Sequence, residues 1–272
     1  SRYVAMTLLV LFLSCLILGA VVGLLAGLLG IGGGLVIVPV LVYLLPQLGV
    51  SADIVMPVSL ATSLATIVVT SAFALRAHHK NSNIPWQLAR KLMFMVALGA
   101  LIGAFIADQL SGQTLKNIFA VAVIMLASYM LLSIRSKKEN TRELPANWLF
   151  QGIGLFTGVM ASLMGIAGGA ILVPALSYFG MQLRLTIGVA TACGLVVAVF
   201  GSLGYIIAGL DQENLPALSL GYIYLPVLLG ISLTSSMFAR YGVKLASKLP
   251  VRTLKKGFAV FLIIVAIRMM VA

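Results

Sequence analysis

The residues best placed to do chemistry are two short glycine runs, each inside a long apolar stretch. The first is GIGGG at Gly30–Gly34 and the second is GIAGG at Gly165–Gly169. Glycine costs about 1 kcal/mol per residue in a helix relative to alanine, so both runs are predicted to interrupt a helix. A helix that begins at such a break presents free N–H groups and the positive end of its dipole, which favour an anion. The alternative is that the small residues only let helices pack closely.

A row of hydroxyls follows the first glycine run. Most of its members are three or four residues apart, which puts them on one face of a helix; they are Ser59, Thr62, Ser63, Thr66 and Thr70. Thr191 is the matching polar residue later in the chain. Hydroxyls inside a helical bundle can bind an oxyanion, and they also commonly bond backbone carbonyls or neighbouring helices. Both interpretations stay open at this point.

Other kinds of chemistry lack the residues that they need. No Asp, Glu or His lies in the middle of an apolar segment, where a proton relay would place one. His78 and His79 are adjacent and point to different faces of a helix, which argues against a metal site. The sequence has no HExxH or GxSxG motif and no cluster of carboxylates. We therefore predict a protein that is not an enzyme and needs no metal or cofactor.

The elements that position these groups are predicted to be membrane-spanning helices. Of the 272 residues, 61% are apolar and 9% are charged, against about 45–50% and about 25% in soluble proteins. No charge falls between Arg2 and Asp53 or between Glu143 and Arg184, and each gap exceeds the roughly 20 residues that cross a bilayer as a helix. The composition excludes a soluble enzyme, a disordered chain and a disulfide-rich secreted domain. It predicts an all-α polytopic membrane protein.

The chain contains two copies of one unit. LGIGGGLVIVPVL at Leu29–Leu41 aligns without a gap with MGIAGGAILVPAL at Met164–Leu176. Further on, Gly103–Ala120 aligns with Gly242–Ala259. Internal duplication of this kind is typical of secondary transporters.

Each copy is predicted to contain five helical segments, the second of them short. The segments are 4–29, 33–45, 54–76, 88–109 and 114–134, then 147–164, 168–180, 184–209, 219–241 and 251–271. The predicted organisation is a first transmembrane repeat at 1–134, a basic cytoplasmic linker at 135–146 and a second transmembrane repeat at 147–272. The short segments belong to broken or short glycine-rich hairpins, and these segments either join an unwound stretch or stop partway across the membrane.

The basic residues predict the orientation of the chain. Fifteen of the eighteen fall on one side if each segment reverses direction, and that side is expected to be the cytoplasm. The net charge of +12 therefore belongs to short loops beside apolar segments and does not indicate nucleic acid binding. One half then starts outside and the other inside. The two repeats are predicted to have inverted topology, with both termini in the periplasm.

The paired motifs GLLGIGGGLVIVPVL and SLMGIAGGAILVPAL, with the Ala-Thr-Ser stretch that follows the first, resemble the TauE/SafE family of bacterial membrane transporters. That family is also called the sulfite exporter or toluene-sulfonate uptake permease family. The resemblance covers nearly the whole chain and implies movement of sulfur-containing anions across the bacterial inner membrane. The substrate-binding residues that it implies are Gly32, Gly33, Gly34, Pro39, Thr62, Ser63, Gly168, Gly169, Pro174 and Thr191.

The second copy departs from the first at two of these positions. Ala167 replaces Gly32, and Ala192 replaces the hydroxyl of Ser63. The predicted site is therefore asymmetric.

Together these inferences predict a secondary transporter of small anions, taken to be sulfur-containing oxyanions or organosulfonates of the sulfite or sulfoacetate type. The anion would bind between the glycine hairpins, and access would alternate between the two repeats. The alternative is an anion channel that uses the hairpins as a filter. The predicted partners are the small anionic substrate and the lipid bilayer; no oligomeric state is predicted.

Overall fold

The computed structural model of the chain describes residues 2–29, 33–133, 146–246 and 250–271. Of the predicted site residues, Gly32 lies outside these ranges. The predicted linker also lies outside them, except for its last residue.

Ten α-helices and one short β-hairpin make up the described part of the chain. In chain order they are α1 (Arg2–Leu29), α2 (Gly34–Gln47), α3 (Ala52–Lys80), α4 (Trp86–Gln109), α5 (Gly112–Ser133), α6 (Asn147–Met164), α7 (Gly169–Tyr178), α8 (Leu183–Ala208), β1 (Ser219–Leu220), β2 (Ile223–Tyr224), α9 (Leu225–Ala246) and α10 (Val251–Val271). Long apolar runs form helices because only a helix pairs its backbone groups within its own segment in lipid. For nine of the ten predicted segments, the predicted first residue lies within two residues of the first residue of an observed helix.

The exception is the predicted segment 219–241. Its first residues form the β-hairpin, in which Ser219 lies opposite Tyr224 and Gly221 adopts a positive φ of 54° at the turn. Helix α9 begins only at Leu225. Both residues of β2 are buried. Periodicity does not distinguish a short buried strand from a buried helix, which is why this boundary is missed.

Four helices, α3, α4, α5 and α8, are long and apolar enough to cross a membrane, counting only the described residues. The outer faces of the bundle are also apolar. On α9, Leu229, Leu233 and Met237 follow one another at four-residue spacing and are each more than half exposed. Such a stripe suits contact with lipid rather than with water.

Helices α2 and α7 are too short to span a bilayer. They have 14 and 10 residues, which at about 1.5 Å per residue is well below the roughly 30 Å of a hydrocarbon core. The sequence predicted this shortness correctly from the glycine runs that precede both helices.

The two halves of the chain interlock. Helix α1 packs against α9 and α6 packs against α4, so the first helix of each half lies on the fourth helix of the other half. Glycines allow the close approach: a Cβ added to Gly19 would lie 2.5 Å from the carbonyl oxygen of Ile231. Gly19–Gly23 in α1 and Gly154–Gly158 in α6 occupy aligned positions and share the four-residue spacing typical of close helix packing in membranes.

The order of the contacts gives the helix directions. Cys15 lies beside Gly230, and Gly23 lies beside Ser235, so α1 and α9 run parallel where they touch. The contacting residue numbers of α4 and α6 also rise together. Each of these two pairs is therefore a parallel pair.

Helices α3 and α8 form the centre of the bundle. Leu64 lies against Gly201, whereas Asn83, just after α3, lies against Gly188, so the two helices run antiparallel. Helix α2 packs on α3, α7 packs on α8, and α5 pairs with α10. This arrangement brings the starts of the two short helices to the central pair.

Candidate functional site

The second glycine run ends one helix and begins the next. At Gly165 the backbone turns into the left-handed region with φ 62°. The Gly165 N–H donates to the carbonyl of Ser162 at 3.2 Å, and the Ile166 N–H donates to the carbonyl of Ala161 at 3.0 Å. This pair of bonds is a Schellman motif, for which glycine is favoured because it tolerates a positive φ.

The two glycine runs touch each other. A Cβ added to Gly34 would clash with the carbonyl oxygen of Gly165 and lie 3.0 Å from the Cα of Ile166. The Ser63 hydroxyl of α3 donates to the same Gly165 carbonyl at 2.7 Å. Gly34, Ser63 and Gly165 therefore form one buried contact in which the first run, the second run and the central helix α3 meet.

Both short helices begin without a side-chain cap. Gly33 and Gly168 occupy the N-cap positions, and neither helix has a capping hydrogen bond from a side chain. The amide N–H groups of Gly168 and Gly169 have no acceptor among the described residues. Unpaired N–H groups at a helix start are the donors that bind anions.

A proline occupies the sixth position of each short helix. Pro39 in α2 and Pro174 in α7 are both half-buried. Proline has no N–H, so neither can donate to the carbonyl four residues earlier, that of Leu35 or Ala170. The matched prolines thus leave one backbone carbonyl in each short helix without its usual helical partner.

The three predicted site hydroxyls differ in what they can still donate. Ser63 and Thr191 give their protons to carbonyls, those of Gly165 at 2.7 Å and Ile187 at 2.8 Å. Thr62 instead accepts a bond from the Tyr224 N–H at 3.1 Å. Its own proton has no acceptor in the described part of the chain, so Thr62 is the one of the three that remains free to donate.

The surroundings of these groups carry no full charge. Among the described residues, the buried polar side chains are hydroxyls and one amide, Asn83. No group of three or more His, Cys, Asp or Glu in these ranges is close enough to hold a metal ion. The region therefore offers neutral hydrogen-bond donors rather than charged groups.

Comparison with known proteins decides the family. The family model for the sulfite exporter TauE/SafE matches residues 15–269. The chain belongs to the TauE/SafE family. The resemblance expected from the glycine–proline motifs is therefore confirmed.

Relatives of this TauE/SafE protein are named as transporters. A probable membrane transporter protein of Haemophilus influenzae is 44% identical over 94% of this chain and 97% of its own length. A probable membrane transporter protein of Methanocaldococcus jannaschii is 24% identical over 88% of both chains. No solved structure matches the chain. This TauE/SafE protein is a multi-pass membrane transporter.

Sequence reasoning missed several residues that lie beside the candidate site. Tyr224 reaches Thr62 through its backbone, and the Tyr205 hydroxyl donates to the Ser162 carbonyl at 3.1 Å. Thr157 lies against the second break and has an unpartnered hydroxyl. The sequence could not indicate Tyr224, because its contribution is a backbone N–H, which almost every residue type has. The signal for Thr157 was present, since it is a polar residue in an apolar helix.

Two further contacts link loops to distant helices. Asn83 after α3 bonds the Arg184 guanidinium of α8, and the Tyr222 hydroxyl donates to the Asp108 carboxylate at 2.7 Å. The second bond ties the turn of the β-hairpin to the end of α4. Neither pairing has a sequence signal because the partners are about 100 residues apart along the chain.

Proposed function

We propose that this TauE/SafE protein is a secondary transporter of small sulfur-containing oxyanions or organosulfonates, of the sulfite or sulfoacetate type, across the bacterial inner membrane. The observation that carries the proposal is the direct contact between the two glycine breaks at Gly34 and Gly165. Two short helices, one from each half, begin there, and helix starts at membrane depth are anion sites in transporters. The family description, a sulfite exporter, supports the substrate class.

The proposed site binds an anion with neutral donors. The amides of Gly168 and Gly169 and the hydroxyl of Thr62 have protons to donate, and no lysine or arginine is buried among the residues whose side chains the structure describes. Neutral hydrogen-bond donors bind an anion less tightly than a positively charged side chain would. A transported ion must bind well enough to enter and weakly enough to leave, so this chemistry suits transport. Gly32, Gly33, Pro39, Pro174, Ser63 and Thr191 complete the proposed site.

We further propose that the two repeats have inverted topology. The corresponding helices α3 and α8 run antiparallel. In addition, the first helix of each half packs on the fourth helix of the other half. Both observations support inverted topology. Inverted repeats let one fold open alternately to the two sides of a membrane. With the basic loops in the cytoplasm, both termini lie in the periplasm.

Alternating access in this bundle involves both halves at once. Because α1 packs on α9 and α6 packs on α4, neither half can rock as a separate body. The moving units would each contain helices from both repeats, and the contact between the glycine breaks would lie between them.

Transport into proteoliposomes tests the proposal. We expect uptake of sulfite and sulfoacetate in preference to chloride, with accumulation above the external concentration when an ion gradient is imposed. Uptake that only equilibrates the two sides, at rates far above those of a transporter, would favour the anion channel. No movement of any of these anions would refute the proposed function.

A variant of Thr62 tests whether this residue takes part in transport. Thr62→Val removes the free proton at nearly constant volume, and it also removes the acceptor of the Tyr224 N–H, so the melting temperature is measured as a check of folding. In the folded variant we expect uptake of sulfite to fall by roughly tenfold, the effect of one hydrogen bond to a charged group. Thr66→Val is the matched control, since Thr66 is equally buried and its hydroxyl only bonds back to the Thr62 carbonyl at 2.9 Å. Equal uptake by the two variants would remove Thr62 from the site.

A further inference from the structure

Thr157 in α6 has a hydroxyl with no partner. The residue is fully buried, and its Oγ1 makes no hydrogen bond within the described part of the chain. Burying a hydroxyl without a hydrogen bond is unfavourable, so a group of this kind needs an explanation.

Four helical serines also have a buried hydroxyl that lacks a partner among the described residues, namely Ser162, Ser177, Ser202 and Ser232. Several other helical hydroxyls, including those of two threonines, avoid that cost by bonding back to their own helix. Ser59 donates to the carbonyl of Val55 at 2.7 Å, and Thr191 donates to that of Ile187 at 2.8 Å. Thr186 does the same to Gln182 at 3.0 Å. The same bond is geometrically accessible to any helical threonine, yet Thr157 does not make it.

The Thr157 side chain lies at the start of α7. A Cβ added to Gly168, the N-cap residue of that helix, would lie 3.0 Å from the Cγ2 of Thr157. On the α8 side, a Cβ added to Gly194 would lie 3.3 Å from the Cβ of Ala167 and 3.9 Å from the Gly168 nitrogen, so α8 presents a residue without a side chain beside that amide. The unpartnered hydroxyl and the unpaired N–H groups of Gly168 and Gly169 therefore belong to one small region.

The aligned residue in the first half shows what packing alone requires. Val22 stands where the second half has Thr157, in the same alignment that pairs Gly33 with Gly168. Its Cγ1 meets a Cβ added to Gly33, just as Thr157 meets one added to Gly168. A branched apolar side chain thus fills this position in the fold. The hydroxyl of Thr157 adds nothing to that packing.

We propose that Thr157 is a substrate-binding residue whose hydroxyl donates to an anion held by the N–H groups of Gly168 and Gly169, which makes the second break the principal half of the site. The inference rests on the proposed function and narrows its substrate class. Three separate donors match an anion with several acceptor oxygens, such as sulfite or a sulfonate, better than a single spherical halide. Thr157 therefore contributes to selectivity for oxyanions over chloride.

The test compares Thr157→Val, which copies the side chain of the first half, with Thr157→Ser, which keeps the hydroxyl. The matched control is Thr186→Val, because Thr186 is also fully buried but already bonds its own helix. Binding of sulfite and of chloride to the purified full-length protein in detergent is measured by titration calorimetry, and folding is checked by the melting temperature.

We expect Thr157→Val to weaken sulfite binding by roughly tenfold or more, the effect of one hydrogen bond to a charged group. Chloride binding should change less, the melting temperature without anion should stay the same or rise because an unpartnered buried hydroxyl is removed, and Thr157→Ser should retain most of the sulfite affinity. Unchanged sulfite binding by Thr157→Val would overturn the inference while leaving the transporter proposal intact. Absence of anion binding and transport in the wild-type protein would instead refute the proposed function itself.

Discussion

The two glycine breaks share a sequence motif and differ in how much room surrounds them. Gly34 in the first break lies so close to the Gly165 carbonyl that a Cβ would clash with it. Its aligned partner in the second break, Gly169, faces only the Cβ of Ala190, at an ordinary contact distance of 3.7 Å from an added Cβ. The first break therefore serves as a packing surface, whereas the second has room for a methyl group at Gly169.

The side chains around the breaks follow the same division. Ser63 bonds the Gly165 carbonyl, and the aligned residue in the other half is Ala192, which has no hydroxyl. Conversely, Val22 beside the first break is replaced by Thr157 beside the second. One half thus provides the support, and the other provides most of the unpaired donors, with Thr62 of the first half as the exception. Duplicated units can diverge in this way because packing and binding need different groups at the same backbone positions.

The largest effect should come from filling the close contact. Gly34→Ala places a Cβ against backbone atoms, which cannot rotate away, so we expect the unfolding free energy to fall by roughly 1–3 kcal/mol or more. Gly169→Ala is the matched control and should melt close to wild type, because its Cβ has space. Thermal unfolding in detergent gives both values. Equal destabilisation of the two variants would contradict the claim that Gly34 is more closely packed than Gly169.

The next effect concerns the hydrogen bond that supports the second break. Ser63→Ala leaves the buried Gly165 carbonyl without its side-chain donor, at a cost of about 1–3 kcal/mol. Ser59→Ala removes only a bond within α3 and should cost less. Chemical denaturation followed by circular dichroism compares the two. If Ser63→Ala is as stable as Ser59→Ala, the Ser63 hydroxyl does not support the break.

A smaller effect is expected at Tyr205. Tyr205→Phe keeps the ring and removes the bond to the Ser162 carbonyl, which still accepts from the Gly165 N–H. One bond is lost while its acceptor keeps a partner, so the expected cost is about 0.5–1.5 kcal/mol. Tyr43→Phe, on an exposed side chain of α2, is the control in the same melting assay. A Tyr205 variant as stable as this control would contradict the prediction.

The smallest effect should come from giving the first break the side chain of the second. Val22→Thr adds a hydroxyl that can bond back to its own helix, and the Gly34 contact leaves no room for an anion beside it. We expect sulfite affinity to stay within about twofold of wild type, as measured by titration calorimetry. A gain in affinity would mean that the two breaks are equivalent half-sites.

Much of the fold was predictable because membrane helices are set by local sequence. Runs such as 147–164 and 251–271 coincide with α6 and α10 at both ends. The hairpin at 219–224 was not predictable, because a short buried strand such as β2 has the same apolar composition as a buried helix. The predicted periplasmic termini, the linker and the ten site residues stay predictions.

The candidate site was predictable only as a set of residue types. Thr62, Ser63 and Thr191 have the same character in the sequence, yet the structure gives them different hydrogen-bond roles. Which hydroxyl keeps a free proton depends on a neighbour that arrives from a distant part of the chain, such as Tyr224 for Thr62. No local pattern contains that information.

The sequence by itself determined that the chain is a multi-pass helical membrane protein of a transporter family, with two short helices that begin at glycine runs. Apolar length, charge gaps and glycine content decide these features locally, since each helix in lipid satisfies its own backbone. Only the tertiary structure decided that the halves interlock, that Gly34 packs on Gly165 and that Thr157 keeps an unpaired hydroxyl. Those outcomes depend on close packing between segments far apart in the chain, where a single methyl or hydroxyl decides which groups can meet.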